Sequence, residues 1–374
     1  MANNILDTGI KLVKNVGSFN FGVSSLNDLP KYVDTRRGYA AEAGSGCNIL
    51  YIVDDFFANQ PEILARLGAG CGDRIEFVST HEEPTTEAID QLVMGLLDAG
   101  FSKPATIVGM GGGITLDTAK GVANLLTNGG KAEQYQGWDL VRVPAVHKVG
   151  IPTISGTGAE ATRTCVMTNT RSGLKLGMNS DYTVFDHLVL DPDLTATVPR
   201  DQYFYTGMDA YIHCFEAIAG SYRNAVGDAY SRETLNLCRQ VFCDEDMMSS
   251  KSRERLMVAS YLGGCAIATS YVGLVHPFSA GLSVVLGVHH CVANCITMRA
   301  MAEYYPEVYD EFWAMVEYQK VNIPYGIGQG LKDEQYRALY NATVIHQKPL
   351  TNALGSDYLK VLTYDKVVSL FQKM

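Results

Sequence analysis

An aspartate and a histidine four residues apart could supply half of a metal site. Asp209 and His213 lie in a stretch without proline, so both side chains should project from one face of one helix. The other ligands would come from the histidine-rich segment that holds His276, His289 and His290. Three imidazoles and one carboxylate favour Fe2+, Zn2+ or a similar ion over Ca2+ or Mg2+. The alternative is a pair of hydrogen-bonded groups on an ordinary helix face.

A second candidate site follows an apolar run that ends in three glycines, Gly111, Gly112 and Gly113. Glycines at a strand-to-helix turn let backbone amides approach a diphosphate, and the helix N-terminus adds partial positive charge. Asp54 closes an earlier apolar run, where it could bind an adenosine ribose hydroxyl and repel a 2'-phosphate. These features favour NAD over NADP. A tight turn is the alternative, because the run departs from the strict GxGxxG pattern.

A loop rich in Thr, Ser and Gly lies within residues 148–160 and contains Thr153 and Thr157. Its hydroxyls could bind phosphate or ribose, although a plain polar turn explains the composition equally well. Lys175 follows between Gly173 and Gly177. We assign Thr153, Thr157 and Lys175 to the predicted cofactor site.

The elements that must position these residues divide the chain in two. In the first half, apolar strand-like runs alternate with helical patterns, which predicts a parallel sheet with right-handed crossovers. Strands are predicted at 49–53, 74–80 and 105–109, with a further strand opening the 148–160 segment, and helices are predicted at 61–70, 86–100 and 114–126. After Pro199 the pattern is helical, with helices predicted at 200–219, 225–242, 250–272, 276–286, 290–304, 305–320 and 332–345. We therefore predict a Rossmann-like α/β domain over residues 1–199 and an all-α domain over residues 200–374.

Composition and net charge exclude some classes of binding partner and of cellular location. A chain of 374 residues with a net charge of -10 predicts roughly two domains and argues against nucleic-acid or anionic-membrane binding. The nine cysteines form no CxxC motif, which indicates reduced thiols in a cytoplasm. The N-terminal residues 1–13 are interrupted by Asp7, unlike a secretory leader. The uncharged stretch 256–275 is rich in small and semi-polar residues, which favours a buried helix over a membrane span.

The order of these motifs resembles the iron-containing (group III) alcohol dehydrogenase family over most of the chain. The family's Gly-Gly-Gly-Ser-x-x-Asp-x-x-Lys run is similar to residues 111–120, with Asp117 at the acidic position. Its Pro-Thr-Thr-x-Gly-Thr-Gly-Ser-Glu run is similar to residues 152–160, and its Gly-Met-Asp-Ala-x-x-His run to residues 207–213. The family's two later ligands are fourteen residues apart, as are His276 and His290.

The resemblance implies a dehydroquinate synthase-like fold, a divalent metal, NAD and a homodimer. The implied metal ligands are Asp209, His213, His276 and His290. From the sequence and the resemblance together, the predicted cofactor-binding residues are Asp54, Gly111, Gly112, Gly113, Asp117, Thr153, Thr157 and Lys175. Within the family, the chain is similar to members that oxidise the C8 alcohol of the sugar acid 3-deoxy-D-manno-octulosonate (Kdo) to an aldehyde, which an aminotransferase then uses for lipopolysaccharide.

Three positions depart from the family pattern. Ala280 stands where the family has a second histidine to which a proton-relay role is often given, and Ile114 replaces a serine beside the glycines. Glu83 stands where the family commonly has an asparagine next to the cofactor. An acid there could weaken nucleotide binding, which leaves NAD and oxygen open as electron acceptors.

The predicted mechanism places the metal in a cleft between the two domains, where it lowers the pKa of a substrate hydroxyl. Hydride then passes from the carbinol carbon to the nicotinamide. With Ala280 in place of the relay histidine, His289 is the candidate relay, the alternative being a supporting or surface group. Arg163 is the candidate anchor for a substrate carboxylate, the alternative being a salt bridge.

Three other functions stay open from the sequence. One is a generic NAD-dependent polyol or alcohol dehydrogenase. Another is a sugar-phosphate lyase or cyclase of the dehydroquinate synthase type, which uses NAD transiently. The third is a metal-bound sensor of sugar acids that performs no chemistry.

Overall fold

The computed structural model of the protein describes residues 13–374, so most of the segment compared with a secretory leader lies outside the described residues. The described chain forms two compact units. An α/β unit comprises Lys14–Ile154 and Ala159–Ala196, and a helical unit comprises Ser155–Gly158 and Thr197 onward. The domain limits 1–199 and 200–374 stay a proposal, since the short segment Ser155–Gly158 groups with the helices.

The strands all lie in the α/β unit. In chain order they are β1 (Ser18–Phe21), β2 (Ile49–Asp54), β3 (Arg74–Val78), β4 (Thr106–Gly111), β5 (Gly137–Trp138), β6 (Lys148–Pro152), β7 (Thr164–Asn169), β8 (Leu174–Asn179) and β9 (His187–Leu190). Six of them form a parallel sheet in the order β1-β9-β6-β4-β2-β3. The other three form a small sheet in the order β5-β8-β7.

The centre of the large sheet explains the apolar runs of the sequence. In β2, Leu50 lies opposite Arg74 of β3 and Ile107 of β4, and Ile49 to Val53 are fully buried. Strands of a parallel sheet that are covered on both faces are apolar along their whole length. The three predicted strands therefore coincide with β2, β3 and β4.

Four helices accompany the sheet in the α/β unit: α1 (Leu29–Glu42), α2 (Pro61–Arg66), α3 (Thr86–Asp98) and α4 (Gly113–Asn128). Helix α3 begins after Thr85, whose hydroxyl accepts a hydrogen bond from the Ala88 amide at 3.1 Å, as an N-cap residue does. Its Ile89, Val93 and Leu96 are buried and belong to one apolar cluster of the unit. The amphipathic pattern of the sequence therefore predicts both its start and its buried face.

The helical unit contains no strand among its described residues. Its helices are α5 (Arg200–Ala219), α6 (Ala225–Phe242), α7 (Ser250–Thr269), α8 (Val275–Leu286), α9 (His290–Thr297), α10 (Pro306–Gln319), α11 (Asp333–Val344), α12 (Gln347–Leu354), α13 (Tyr358–Val361) and α14 (Tyr364–Phe371). The predicted fold class, a parallel α/β part followed by a helical part, is confirmed. The predicted helix 290–304 is shorter, because α9 passes into a 3-10 turn at Met298–Ala300.

One large apolar cluster forms the core of the helical unit and includes Met208, Phe242, Leu256 and Phe278. The uncharged stretch 256–275 lies largely in α7, where Leu256, Met257 and Ala266 are fully buried. No helix among the described residues has the length and apolar character that crossing a membrane requires. Burial within the protein accounts for the absence of charge in this stretch.

Candidate metal centre and nucleotide-binding site

Helix α5 carries two of the predicted ligands on one face. Asp209 and His213 are one turn apart, and both are almost completely buried. The helix lies close to its neighbours at Gly207, where a Cβ atom would come within 2.5 Å of Phe242 Cζ and 2.9 Å of Leu256 Cδ2. Gly207 therefore allows α5 to pack closely against α6 and α7, on a different side of the helix from Asp209.

The other two predicted ligands sit at the starts of α8 and α9. His276 is the second residue of α8, and His290 is the first residue of α9. Between the helices, Gly287 adopts the left-handed conformation with φ 69°, and its amide donates to the Ser283 carbonyl at 3.1 Å. This helix end reverses the chain within a few residues and lets both histidines face α5.

The three predicted histidine ligands surround the fourth, the Asp209 carboxylate. His276 Nε2 and His213 Nε2 lie 3.3 Å and 3.4 Å from Asp209 Oδ1. His290 Nε2 lies 3.7 Å from Asp209 Oδ2. The ligand atoms of Asp209, His276 and His290 are all within 4.8 Å of one another, and the rings of His213 and His276 stack with centroids 4.6 Å apart.

Sequence reasoning missed two residues of this cluster. Glu216 Oε2 lies 2.5 Å from His276 Nδ1, and Glu216 Oε1 accepts from the Val275 amide at 2.5 Å. Asn294 Nδ2 donates to Asp209 Oδ1 at 2.7 Å. Helical spacing could have indicated both residues, because Glu216 lies two turns after Asp209 and Asn294 lies one turn after His290.

Burial and charge set the protonation of the cluster. Burial alone would raise the pKa of Asp209, but the surrounding histidines outweigh it and hold that pKa below its usual value. Burial lowers the pKa of His213 to about 4, which leaves this imidazole neutral at pH 7. For His276, the carboxylates of Glu216 and Asp209 overcome the opposing effect of burial and raise the pKa to about 9.

This donor set fits a divalent metal ion. Three imidazole nitrogens converge on one fully buried carboxylate, and three nitrogens with one oxygen suit Fe2+ or Zn2+. The Glu216 carboxylate at His276 Nδ1 leaves Nε2 to face the other ligands, as in the carboxylate–histidine–metal arrangement of many metal sites.

The residues proposed for proton relay and substrate binding lie in different surroundings. His289 is exposed and immediately precedes α9. Ala280, at the position of the family's relay histidine, is buried on α8. Arg163 pairs through Nε with Asp181 Oδ1 at 3.1 Å and through Nη2 with Asp139. Its guanidinium therefore makes the salt bridges of the alternative interpretation, and its role as a carboxylate anchor stays a prediction.

Several predicted cofactor residues meet at the carboxyl edge of the large sheet. Gly111 ends β4, and Gly112 is the N-cap of α4. A Cβ on Gly111 would lie 2.5 Å from Thr115 Oγ1 and 3.0 Å from Asp54 Cβ, so only glycine fits there. The Thr153 amide donates to the Gly111 carbonyl at 3.1 Å. The edge therefore brings together the helix N-terminus, Asp54 and Thr153, an arrangement suited to a dinucleotide.

Asp117 and Lys175 form a second group in the same unit. Asp117 Oδ2 accepts from the Val166 amide at 2.8 Å, and Lys175 Nζ lies 3.1 Å from Glu83 Oε1. Burial raises the pKa of Asp117 to about 6, with Lys120 and Lys175 opposing the rise and Glu83 adding to it. The predicted cofactor lysine thus already pairs with the acid that departs from the family pattern.

Thr157 lies in Ser155–Gly158, which belongs to the helical unit. The glycines on either side of Thr157, Gly156 and Gly158, allow a close approach between the loop and neighbouring helices. A Cβ on Gly156, at φ 147°, would lie 1.6 Å from the Thr206 carbonyl oxygen, and a Cβ on Gly158 would lie 2.7 Å from Gly264 Cα. The loop therefore packs closely against α5 and α7, and a role for Thr157 in cofactor binding stays a prediction.

Comparison with known proteins agrees with this architecture. Residues 19–192 match the family model described as iron-containing alcohol dehydrogenase. Residues 203–342 match the C-terminal model of the same family. The structure is similar to that of a 1,3-propanediol oxidoreductase, with a TM-score of 0.82 and 20% identity, over 98% of this chain and 100% of the other.

Two curated relatives match part of the chain. The sulfoacetaldehyde reductase of Bilophila wadsworthia is 34% identical over 191 residues, which cover 50% of this chain and 49% of the relative. The NAD-dependent methanol dehydrogenase of Bacillus methanolicus is 32% identical over 197 residues, 51% of each chain. The matched region thus spans about half the length of these relatives. Because the two family models together cover most of the sequence, the chain belongs to the iron-containing alcohol dehydrogenase family.

Proposed function

We propose that this protein is a metal-dependent oxidoreductase that converts a primary alcohol to an aldehyde with NAD as the hydride acceptor. The observation that carries the proposal is the convergence of three imidazole Nε2 atoms on the buried Asp209 carboxylate at 3.3 to 3.7 Å. Family membership supports it, since the matched relatives are an alcohol dehydrogenase and an aldehyde reductase by name.

The residues of the cluster would have two roles, metal binding and the orientation of a metal ligand. Asp209, His213, His276 and His290 would hold Fe2+ or Zn2+, and Glu216 fixes the ring of His276 through Nδ1. A divalent ion in this position lowers the pKa of a coordinated alcohol, so that the alkoxide becomes accessible near neutral pH. Burial shields the ligands from water to different degrees, since Asp209 is fully buried whereas the His290 side chain is 28% exposed.

The nucleotide would bind at the carboxyl edge of the sheet. The amides at the start of α4 would face the diphosphate, with Gly111, Gly112 and Gly113 leaving room for its approach. Asp54 would bind the adenosine ribose, and Thr153, Thr157, Asp117 and Lys175 would complete the site. Bound NAD supplies the acceptor for the hydride of the substrate's carbinol carbon.

The proposed substrate is the C8 alcohol of Kdo, whose aldehyde product an aminotransferase would consume. The support is the overall sequence resemblance to family members with this activity. A generic NAD-dependent alcohol or polyol dehydrogenase is the alternative, supported by the methanol dehydrogenase among the relatives.

The test is a substrate screen with protein reconstituted in Fe2+ or Zn2+. Kdo and simple diols are assayed with and without NAD and oxygen, with NADH followed by absorbance and peroxide measured separately. Formation of aldehyde together with NADH supports the proposal. Formation of aldehyde together with peroxide would show that oxygen, and not NAD, is the acceptor. Turnover without either product indicates the lyase alternative, and no turnover of any substrate contradicts the enzymatic proposal.

Removal of one ligand tests the metal assignment directly. The variant His213→Ala should lose both bound metal and activity, measured by elemental analysis and by the same assay. The exposed His81 of the α/β unit provides the control, because His81→Ala leaves the cluster intact. A His213→Ala protein that retains the metal would contradict the assignment.

A further inference from the structure

We propose that Lys348 binds a carboxylate of the substrate while the alcohol to be oxidised lies at the metal cluster. The inference rests on the proposed metal-dependent oxidation and deepens it, because the substrate class becomes alcohols that carry a remote acid group. Lys348 is half-buried on α12 of the helical unit, one turn before the buried Asn352. Side chains one turn apart share a face of a helix, so the contacts of Asn352 show what this face meets.

Asn352 connects α12 to the segment that precedes His276. Its Nδ2 atom donates to the carbonyls of Tyr271 at 2.8 Å and Val272 at 3.1 Å. Its Oδ1 atom accepts from the Tyr222 amide at 2.8 Å. Because the carboxamide uses both its donor and its acceptor, α12 is held in one position against this segment.

The same segment is connected to the metal cluster at its other end. Glu216 accepts from the Val275 amide and lies against His276 Nδ1, both at 2.5 Å. Gly220 follows Glu216 by one turn at the end of α5, and a Cβ atom on Gly220 would clash with the Asn352 carboxamide. Helix α12 therefore stands beside both the helix and the segment that supply candidate ligands.

The Lys348 ammonium group is positioned by an aromatic ring of this segment. Its Nζ atom lies 5.4 Å from the centre of the Tyr271 ring, and the Tyr222 ring packs edge-on against Tyr271 with centroids 5.0 Å apart. An aromatic face attracts a cation without neutralising its charge. The two rings therefore place a positive charge close in the chain to the candidate ligand His276, where it attracts an anionic group of the substrate.

Two arginines that could compete for this role are already paired with carboxylates. Arg163, the anchor predicted from the sequence, pairs with two aspartates of the α/β unit. In the helical unit, Arg223 directs Nε and Nη2 to Asp228 at 2.9 and 2.7 Å. A substrate carboxylate would gain little from either arginine, because one ion pair is lost for each one formed. The contact of Lys348 with a ring need not be broken.

A lysine at this position selects substrates by charge. The ion would bind the hydroxyl to be oxidised, so the carboxylate bound by Lys348 must be remote from that hydroxyl. A sugar acid oxidised at the end opposite its carboxylate, as Kdo is at C8, has this form. Because lysine supplies a point charge on a flexible stem, other acids with a terminal hydroxyl should fit as well.

The experiment compares an acidic substrate with its neutral counterpart in protein reconstituted with Fe2+ or Zn2+. The probes are Kdo and its methyl ester, which keeps every hydroxyl but lacks the charge. In Lys348→Met, which keeps the unbranched stem, we expect the calorimetric Kd and the KM for Kdo to rise about ten- to a hundredfold. The kcat for Kdo, the metal content and all values for the ester should stay unchanged.

Two further variants separate charge from packing. Lys348→Arg keeps the charge and should restore most of the preference for Kdo. Lys360→Met removes an exposed lysine that pairs with Asp357 and should change no value. Equal losses for Kdo and the ester in Lys348→Met would overturn the role of Lys348, because a structural defect affects both probes.

The same measurements distinguish failure of this inference from failure of the proposed function. Oxidation of both probes by the wild type with equal KM and equal Kd would support the proposed function and overturn the role of Lys348. Tighter binding of Kdo than of the ester, lost in Lys348→Met but without oxidation of either probe, would support the role of Lys348 and contradict the proposed function.

Discussion

Glu216 holds the His276 imidazole through Nδ1, on the opposite side of the ring from the Nε2 atom that faces Asp209. A carboxylate in this position fixes the ring orientation and makes the imidazole a stronger base. Glu216 also accepts from the Val275 amide at the start of α8. It therefore links α5 to the helix that carries His276.

Glu216→Gln should lower the affinity for Fe2+ or Zn2+ by about ten- to a hundredfold, because the amide retains the shape but not the charge. Competition with a chelating dye measures the affinity. The matched control is Glu311→Gln in the same unit, since Glu311 pairs with Arg239 and Tyr211 away from the candidate ligands. Equal affinities in Glu216→Gln and the wild type would show that Glu216 serves packing alone.

Glu83→Gln should strengthen NAD binding by about tenfold, or ~1.4 kcal/mol. The reason is that the Glu83 carboxylate of the wild type pairs with Lys175 and would repel the dinucleotide phosphates. Calorimetric titration of NAD measures the change, and Glu62→Gln on the exposed face of α2 is the control. If the gain persists in the double variant with Lys175→Met, the ion pair is not its cause.

The turn between α8 and α9 decides whether His276 and His290 can meet. Gly287 lies at φ 69° with open space around its missing Cβ, so an alanine there would meet no atom and would suffer only backbone strain. The left-handed conformation costs a residue with a Cβ roughly 1–2 kcal/mol.

Gly287→Ala should therefore lower the free energy of unfolding by about 1 kcal/mol and also weaken metal binding. Gly95 provides the matched control, because it lies inside α3 and also has open space around its Cβ position. Gly95→Ala should stabilise the protein by about 0.5–1 kcal/mol. Urea unfolding measures both changes, and destabilisation by both variants would contradict the conformational argument.

At the scale of elements, periodicity predicted the central strands of the large sheet but not the strands of the small sheet. Strands β2 and β4 are long apolar runs, whereas β7 alternates buried and partly buried residues and was not predicted. Its partner β8 pairs with it in antiparallel fashion across the turn at Gly173. Short strands of mixed polarity depend on cross-strand contacts, which a single sequence does not reveal.

At the scale of the whole molecule, stability at alkaline pH should depend on Lys148. Its ammonium group is buried on β6 and donates to the Tyr182 carbonyl at 2.9 Å. Burial lowers its pKa to about 8 from 10.5, against the opposing effect of Asp186. Between these values the unfolded chain holds more protons than the folded one, so the free energy of unfolding rises with pH.

The free-energy cost of burying the Lys148 ammonium group is fully present below pH 8, its pKa in the folded state, and absent above pH 10.5, its pKa in the unfolded chain. Relative to Lys148→Met, the wild type should therefore gain on the order of 3 kcal/mol of stability across this interval. Urea unfolding at several pH values checks the difference between the two proteins. A difference that is constant with pH would show that Lys148 titrates normally in the folded state.

The sequence by itself determined the class of fold and, together with the family resemblance, indicated four candidate ligands. Apolar runs and helical spacing are local properties, so the alternation of strands and helices and the pairing of Asp209 with His213 follow from neighbouring residues. The later histidines were assigned through family resemblance, because nothing local relates His276 to α5.

Tertiary structure alone decided which other side chains complete the cluster. Glu216 and His276 are 60 residues apart, and Asp209 and Asn294 are 85 residues apart. Such contacts arise from the packing of three helices around one core, where an uncompensated buried carboxylate would be costly. The need to surround Asp209 with donors is physical, but only the folded arrangement shows which residues meet it.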